Sequence, residues 1–299
     1  MTAILLLGKH GQVGRELGIH LAGLGPLVAF GHAELDLADA PALRAALDRI
    51  RPALVVNAAA YTNVDRAEAE PAVAAAVNAR APGILAQYLA ASGGALIHYS
   101  TDYVFDGFRG TPYTEDDAPN PLNVYGASKL AGERAIATSG VAHLILRTSW
   151  VYSEHGSNFV TTIRRLARTQ RTLDVVNDQI GCPTWARTIA RTTRQLIERC
   201  AGRIADCQGL YHLAAGGHTT RYGLAEKIVA LMAQQPGDPA FVPPRLQAVA
   251  TSRFPAPAVR PACSALATGR LASRFGITLP GWEEELAAFF RQGAGAPTL

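Results

Sequence analysis

Tyr125 and Lys129 stand four residues apart in a stretch with helical patterning, a spacing that puts a phenol and an ammonium on one helix face. A nearby cation favours the ionised phenol and lowers its pKa. A phenol tuned in this way can protonate a developing alkoxide near neutral pH. Lysine is scarce in the chain: of 28 basic residues, only Lys9, Lys129 and Lys227 are lysines and 25 are arginines. Arginine would not do the same work, because its broad planar head binds and hydrates differently. Alone, the pair also reads as a surface tyrosine beside a solvated lysine, so its neighbours must decide.

The first neighbour is a glycine turn. Gly8-Lys9-His10-Gly11-Gln12-Val13-Gly14 directly follows a strand expected over residues 3–7 and opens a helix expected over 12–24. Gly8, Gly11 and Gly14 permit a tight turn and close approach of a pyrophosphate, with helix amides aimed at it. Three glycines alone are a weak signal, and the strand-to-helix context is what the motif requires. Dinucleotides of this fold commonly meet an acid or a base after strand two, yet Phe30-Gly31-His32 supplies neither. Asp36 is a candidate on the adenine side, and Asp39 reads as a helix cap. NADH and NADPH both stay open.

Two further segments end strands at the same edge. Asn57-Ala58-Ala59-Ala60-Tyr61-Thr62 closes strand three with small residues that leave room for a flat cofactor, or simply pack well. Ser100-Thr101-Asp102-Tyr103-Val104-Phe105-Asp106-Gly107 closes strand four with hydroxyls for a carbonyl or the phenol, and a carboxylate for sugar hydroxyls. Turn chemistry explains the same residues. Convergence of three strand ends and the Tyr125 helix on one crevice favours the functional reading.

The elements that must position these residues alternate. Strands are expected at 3–7, 27–30, 53–57, 95–100 and 143–147, and helices at 12–24, 40–50, 71–92 and 124–138. Such alternation predicts an α/β fold with a doubly wound parallel, Rossmann-like sheet over residues 1–150. Residues 151–299 form a smaller mixed α/β substrate region, with a strand and helix around 180–215 returning to the sheet. Helices are expected at 158–169, 184–200 and 282–291, and a strand at 209–213. Breaks are expected at 236–239 and 243–244, an extended loop at 253–261 and a frayed tail after the last helix.

Composition bounds the rest. With 48% hydrophobic and 17% charged residues in 299, the chain is globular. A net charge of +4 without a basic run gives no nucleic-acid signature. No apolar run has membrane-spanning length, and the opening reads as a strand rather than a signal peptide. Cys182, Cys200, Cys207 and Cys263 show no C-x-x-C pairing, so reduced cytoplasmic thiols are expected, without zinc or disulfides.

Taken together, Gly8-x-x-Gly11-x-x-Gly14, Ser100 to Gly107 and Tyr125-Gly126-x-x-Lys129 resemble the extended short-chain dehydrogenase/reductases. Within that group the chain is similar to the dTDP-4-dehydrorhamnose reductase family. Val64-Asp65, Pro121 to Glu133, Arg147-Thr148-Ser149-Trp150-Val151-Tyr152, Asn177-Asp178-Gln179-x-Gly181-x-Pro183-Thr184 and Arg260-Pro261 carry this likeness over nearly the whole chain. The resemblance implies NADPH- or NADH-dependent reduction of the C4 ketone of a dTDP-4-keto-6-deoxy-L-sugar. It implies Tyr125 as proton donor, Lys129 as its tuner and ribose ligand, and Thr101 as partner of the carbonyl or phenol. Gly11, Gln12 and Val13 would border the pyrophosphate, Asp36 and Leu37 the adenine, and Ala60, Tyr61 and Thr62 the middle of the cofactor. Thr101, Asp102 and Trp150 would line the sugar–nucleotide site, with Arg260 toward the diphosphate. Cys263 stands where the family often has Asn. Some relatives dimerise through magnesium, and Glu283-Glu284-Glu285 invites that idea, although a solvated helix start is the better reading of them. The resemblance leaves a monomer or homodimer open. Two rivals also remain: a reductase or epimerase of another nucleotide sugar, and a non-catalytic NADP-binding regulatory subunit.

Overall fold

Short apolar runs that hydrogen-bond only to other parallel strands must be covered on both faces, and this requirement organises the molecule. The computed structural model describes residues 3–200, 203–235 and 241–293. In the first half the chain runs β1 (Ile4–Leu7), α1 (Gln12–His20), β2 (Leu27–Phe30), α2 (Ala40–Ile50), β3 (Leu54–Asn57), α3 (Val64–Ala69) and α4 (Pro71–Ala75). A π-helical turn (Ala76–Arg80) leads into α5 (Ala81–Ser92), β4 (Ala95–Thr101), α6 (Val124–Ala137) and β5 (Ala142–Thr148). Next come β6 (Val151–Tyr152), α7 (Phe159–Thr169), β7 (Thr172–Val176), β8 (Ile180–Gly181), β9 (Thr184–Trp185), α8 (Ala186–Arg199) and β10 (Gly209–His212). The chain continues through β11 (Thr219–Thr220), α9 (Arg221–Ala233), β12 (Arg245–Val249), α10 (Gly269–Phe275) and α11 (Trp282–Gly293).

Six strands form one all-parallel sheet in the order β10-β5-β4-β3-β1-β2. Alternate side chains feed two cores. Leu5, Leu7, Val55, Leu96 and Ile145 pack against Leu43 and Leu47 of α2 and Leu85 and Leu89 of α5. Ile4, Leu6, Val56, Ile97 and Leu144 pack against Leu17 of α1 and Ile189 and Leu196 of α8. The strand order reverses direction between β1 and β3, and a crevice opens there at the carboxyl ends of the strands. A third core joins Tyr152, α7, the parallel β7/β12 pair, α9 and α11. The expected break at 236–239 and the tail after 293 lie outside the described residues.

Two expectations fail. Cys200, where α8 ends, and Cys207 on the following turn form a disulfide with sulfurs 2.06 Å apart, whereas Cys182 and Cys263 are free thiols. The turn at Ile204–Cys207 folds back against the end of α8, a local reversal that Cys spacing does not announce. The acidic start of α11 is not uniformly solvated either. Glu283 pairs with Lys227 at 2.6 Å, but Glu285 is buried and accepts the Trp185 N–H at 3.0 Å. Burial pushes the Glu285 carboxyl up to about 7 from 4.5. The folded state therefore holds that proton more tightly, and its benefit disappears as pH rises through about 7. Glu285→Gln should leave stability nearly unchanged near pH 5 and add about 2–3 kcal/mol near pH 8. Thermal unfolding at the two pH values checks this, and equal shifts at both would refute it. No group of three or more metal-ligating side chains occurs among the described residues.

Candidate active site

The crevice at the β1/β3 switch point is a cavity of about 990 Å³, within the size range of cofactor pockets. Its floor is the glycine turn. Gly8 ends β1 with φ +86°, and a Cβ there would sit 2.7 Å from the Ala59 nitrogen. A Cβ on Gly14 would lie 2.0 Å from the Gly8 carbonyl oxygen, so α1 can meet the turn only without one. Gly11 precedes the first turn of α1, and Gln12 and Val13 face the cavity. Gly14→Ala should weaken dinucleotide binding tenfold or more, by forcing the turn off the helix end (about 1.4 kcal/mol per tenfold). Gly18→Ala, whose Cβ meets nothing within 4 Å, should leave binding unchanged. Fluorescence titration of the reduced dinucleotide compares the two.

Asp36 and Leu37 line the cavity, and so do Ala60, Tyr61 and Thr62 in the middle of the connection between β3 and α3. The Asp36 carboxylate accepts the Ala38 N–H at 2.9 Å, and Asp39 caps α2 through the Ala42 N–H. Asn78, on the π-helical turn, holds the middle segment in place. It accepts the Tyr61 N–H at 2.9 Å and donates to the Tyr61 carbonyl and to Ser128 Oγ of α6 at 3.0 Å. A Cβ on Gly132 would stand 2.1 Å from the Asn78 carbonyl, which shows how closely α6 crosses that turn. Extra turns of this kind often mark functional positions.

Asn123 starts α6 by accepting the Gly126 N–H at 2.8 Å, and donates to the Val259 carbonyl of the extended loop. Gly126 allows the helix start to rest on the Tyr103 carbonyl, which a Cβ would approach to 2.1 Å. Tyr125 thereby reaches the cavity, with Thr101 near enough to act on its phenol. Where the sequence predicts a lowered phenol pKa, the structure raises it: burial acts first, and Asp102 and Tyr103 add to it against Thr101. The phenol is thus held protonated. Lys129 also borders the cavity, yet its ammonium end faces the Tyr99 carbonyl at 2.6 Å and His98 Nε2 at 3.1 Å. Burial pushes Lys129 down to about 8, with Glu133 opposing.

Thr101 and Asp102 sit just beyond the cavity wall. Asp102 is buried and accepts from Thr101 at 3.1 Å, from Ser149 at 2.9 Å and from Ser264, so it braces β4 against the segment after β5 and the loop before α10. Burial raises its pKa. Trp150 adopts φ +45°, a conformation that L residues occupy at a cost and that clusters at functional sites. The Arg221 guanidinium lies 3.5 Å from the Trp150 ring centroid. Arg260 pairs with Asp65 at 2.7 Å, and the charges of both Arg221 and Arg260 act on the buried Tyr103 phenol. Trp150, Arg221, Tyr103 and Arg260 thus form one connected cluster, and none of the four is among the residues that line the cavity.

Sequence reasoning missed Asn78, His98, Arg221 and the Ser149–Ser264 brace. His98 left a legible trace, as a polar residue inside the apolar run Ala95-Leu96-Ile97-His98-Tyr99. Arg221 left only its place after the Thr220 helix cap.

The RmlD substrate binding domain model matches residues 1–294. The dTDP-4-dehydrorhamnose reductase of Burkholderia thailandensis is 45% identical over 284 residues, covering 93% of this chain and 95% of that protein. The Escherichia coli K12 protein of the same name is also 45% identical, covering 94% of each. The crystal structure of the Bacillus anthracis dTDP-4-dehydrorhamnose reductase in complex with NADP superposes with a TM-score of 0.89 at 32% identity, covering 97% of this chain and 99% of that one. The glycine turn, the Tyr125 helix and this likeness along the whole length place the chain in the dTDP-4-dehydrorhamnose reductase family.

Proposed function

We propose that the protein reduces the C4 ketone of dTDP-4-dehydro-β-L-rhamnose to dTDP-L-rhamnose, with NADPH or NADH as reductant. The observation that carries the proposal is Tyr125, its phenol kept toward the protonated form by burial and placed next to Thr101, in one cavity with the glycine turn. The cradle fits a dinucleotide, since side chains at Gly8 and Gly14 would collide with backbone at its floor. Gly8, Gly11, Gln12, Val13 and Gly14 form the pyrophosphate seat. Asp36 and Leu37 hold the adenine end, Ala60 to Thr62 the middle, and Tyr125 and Lys129 the nicotinamide ribose. The bound reduced nicotinamide supplies a hydride to the carbonyl carbon.

Tyr125 donates its proton to the oxygen that becomes negative as the ketone is reduced. A phenol kept protonated by burial suits a donor, and Thr101 stands next to it. Lys129, cationic below about pH 8, stabilises the phenolate left behind. Trp150 offers a flat face to the sugar or base, with Asp102 bracing Thr101 behind it. Arg260 and Arg221 meet the diphosphate, because guanidinium groups match phosphate geometry. Most of the acceleration comes from holding ketone, donor and reductant in register.

Absorbance at the reduced-nicotinamide band, with enzymatically prepared dTDP-4-dehydrorhamnose and each cofactor, tests the assignment. Oxidation of either cofactor with this ketone is expected. Turnover of a different nucleotide sugar alone, or none together with co-purification of a synthetase partner, would replace it.

A further inference from the structure

Asn57 of β3, His98 of β4 and Lys129 of α6 form a line of fully buried polar side chains behind the cavity. Asn57 Nδ2 lies 3.1 Å from His98 Nδ1, and His98 Nε2 lies 3.1 Å from Lys129 Nζ. At the ends of the line, Asn57 Oδ1 accepts the Ala59 N–H at 3.2 Å and Lys129 Nζ donates to the Tyr99 carbonyl at 2.6 Å. Ala59 belongs to the cavity wall, so the line runs from the cofactor cradle to the lysine beside Tyr125.

Counting donors along this line fixes its protons. A backbone N–H only donates, so it holds the Asn57 oxygen and leaves the NH2 pointing at His98. The NH2 only donates, so His98 Nδ1 is the bare nitrogen. A neutral imidazole with bare Nδ1 carries its proton on Nε2, aimed at Lys129 Nζ. An ammonium has no lone pair to receive it, whereas a neutral amine does. A doubly protonated ring is disfavoured, since burial first and Lys129 second hold His98 well below 6.5. If Lys129 is charged in place, the ring proton must move to Nδ1 and Asn57 must turn. Its NH2 then meets the Ala59 N–H, donor against donor, and a buried bond is left unmade.

Few other charges face the line. Glu133 of α6 acts on Lys129, and its carboxylate is engaged twice by Arg147 of β5. The Tyr99 phenol beside Lys129's acceptor is bonded to Thr193 of α8, and Tyr125 lies on the cavity side.

We propose that His98 is a positioning residue, oriented by Asn57 so that its Nε2–H favours the neutral amine of Lys129 over the ammonium. Its importance for turnover rests on the reductase reading above, because Lys129 serves Tyr125 only when charged. Charging Lys129 then requires Asn57 to turn or Lys129 to leave His98, and so couples the cradle strand to the proton donor's helix.

Imidazole 15N NMR of the full unliganded chain tests the proton positions directly, at about pH 9 where Lys129 is largely neutral. The His98 signals, identified by their loss in His98→Gln, should show a protonated Nε2 and a bare Nδ1. A proton on Nδ1 would overturn the proposal without any variant having to fold. The three lysines also give three ε-carbon signals on selective labelling. The Lys129 titration midpoint should rise by about one unit in His98→Gln, whose amide oxygen accepts from an ammonium. It should rise similarly in Asn57→Ala, which frees the ring to carry its proton on Nδ1. Unmoved midpoints in both would also overturn it. The alkaline limb of kcat/KM should follow the midpoint in His98→Gln. The NMR readings need no substrate, so failure of the reductase reading would appear separately, as absent turnover in the wild-type protein.

Discussion

Replacing Tyr125 with Phe is expected to lower kcat by about a thousandfold, within the range that a positioned general acid contributes, while dinucleotide affinity changes little. The ring stays, so its edge contact with Tyr103, at a centroid distance of 5.8 Å, and its place at the start of α6 survive. Only the oxygen is lost, and with it the interaction with Thr101 and the proton for the alkoxide. Loss in kcat without a matching loss in cofactor binding separates proton donation from general disruption. Activity near the wild-type value would remove Tyr125 from the chemistry. The pH profile adds a second check. Lys129 titrates near 8 and is useful when charged, so kcat/KM of the wild-type protein should fall as pH rises through about 8. The phenol sits far above that range and does not set the limb.

What the sequence makes legible follows from how local each signal is. Helix α2 occupies 40–50 as expected, because Asp39 caps it, Pro41 stands in its first turn, and Leu43, Ala46 and Leu47 form one buried stripe. The glycine turn is equally local, since three glycines between a strand and a helix meet one another's backbone. The β7/β12 pair escapes because its strands lie some 70 residues apart and β12 is largely exposed, so neither strand has an apolar signature without the other. Helix α9 did carry a pattern, with Leu224, Ala225, Ile228, Val229 and Met232 buried, but its other face is too apolar for the stripe to stand out.

At the site, Tyr125 and Lys129 share a helix face as the spacing implies, yet the lysine turns inward to His98 and Tyr99. Spacing fixes where two side chains start, and the strand beneath decides where a long one ends. The effect expected of Lys129 on the phenol is therefore absent from this arrangement, in which burial of both groups dominates. Asp102 shows the same limit. A strand-end carboxylate can face sugar hydroxyls or brace a loop, and only the arrival of Ser149 and Ser264 from distant segments makes it a brace here.

Glu133→Ala should be the most destabilising single substitution near the site, and it should also shift the pH profile. Glu133 and Arg147 are both buried and meet through two bonds, Nε to Oε1 at 2.9 Å and Nη2 to Oε2 at 2.6 Å. Removing the carboxylate leaves a guanidinium over the Phe105 ring and near His212, with its counter-charge gone. Breaking a buried pair in this way costs about 3–5 kcal/mol. At roughly 2–4 °C per kcal/mol for a larger domain, the Tm should fall by about 6–20 °C. Glu133 also raises the Lys129 pKa, so its loss lets burial push the lysine further down and moves the alkaline limb of kcat/KM to lower pH. The double variant Glu133→Leu with Arg147→Met separates the two effects. Apolar replacement of both partners removes the unpaired charge and should recover most of the Tm. It restores no carboxylate beside Lys129, so the limb should stay displaced. Recovery of both, or of neither, would show that Glu133 has one role rather than two.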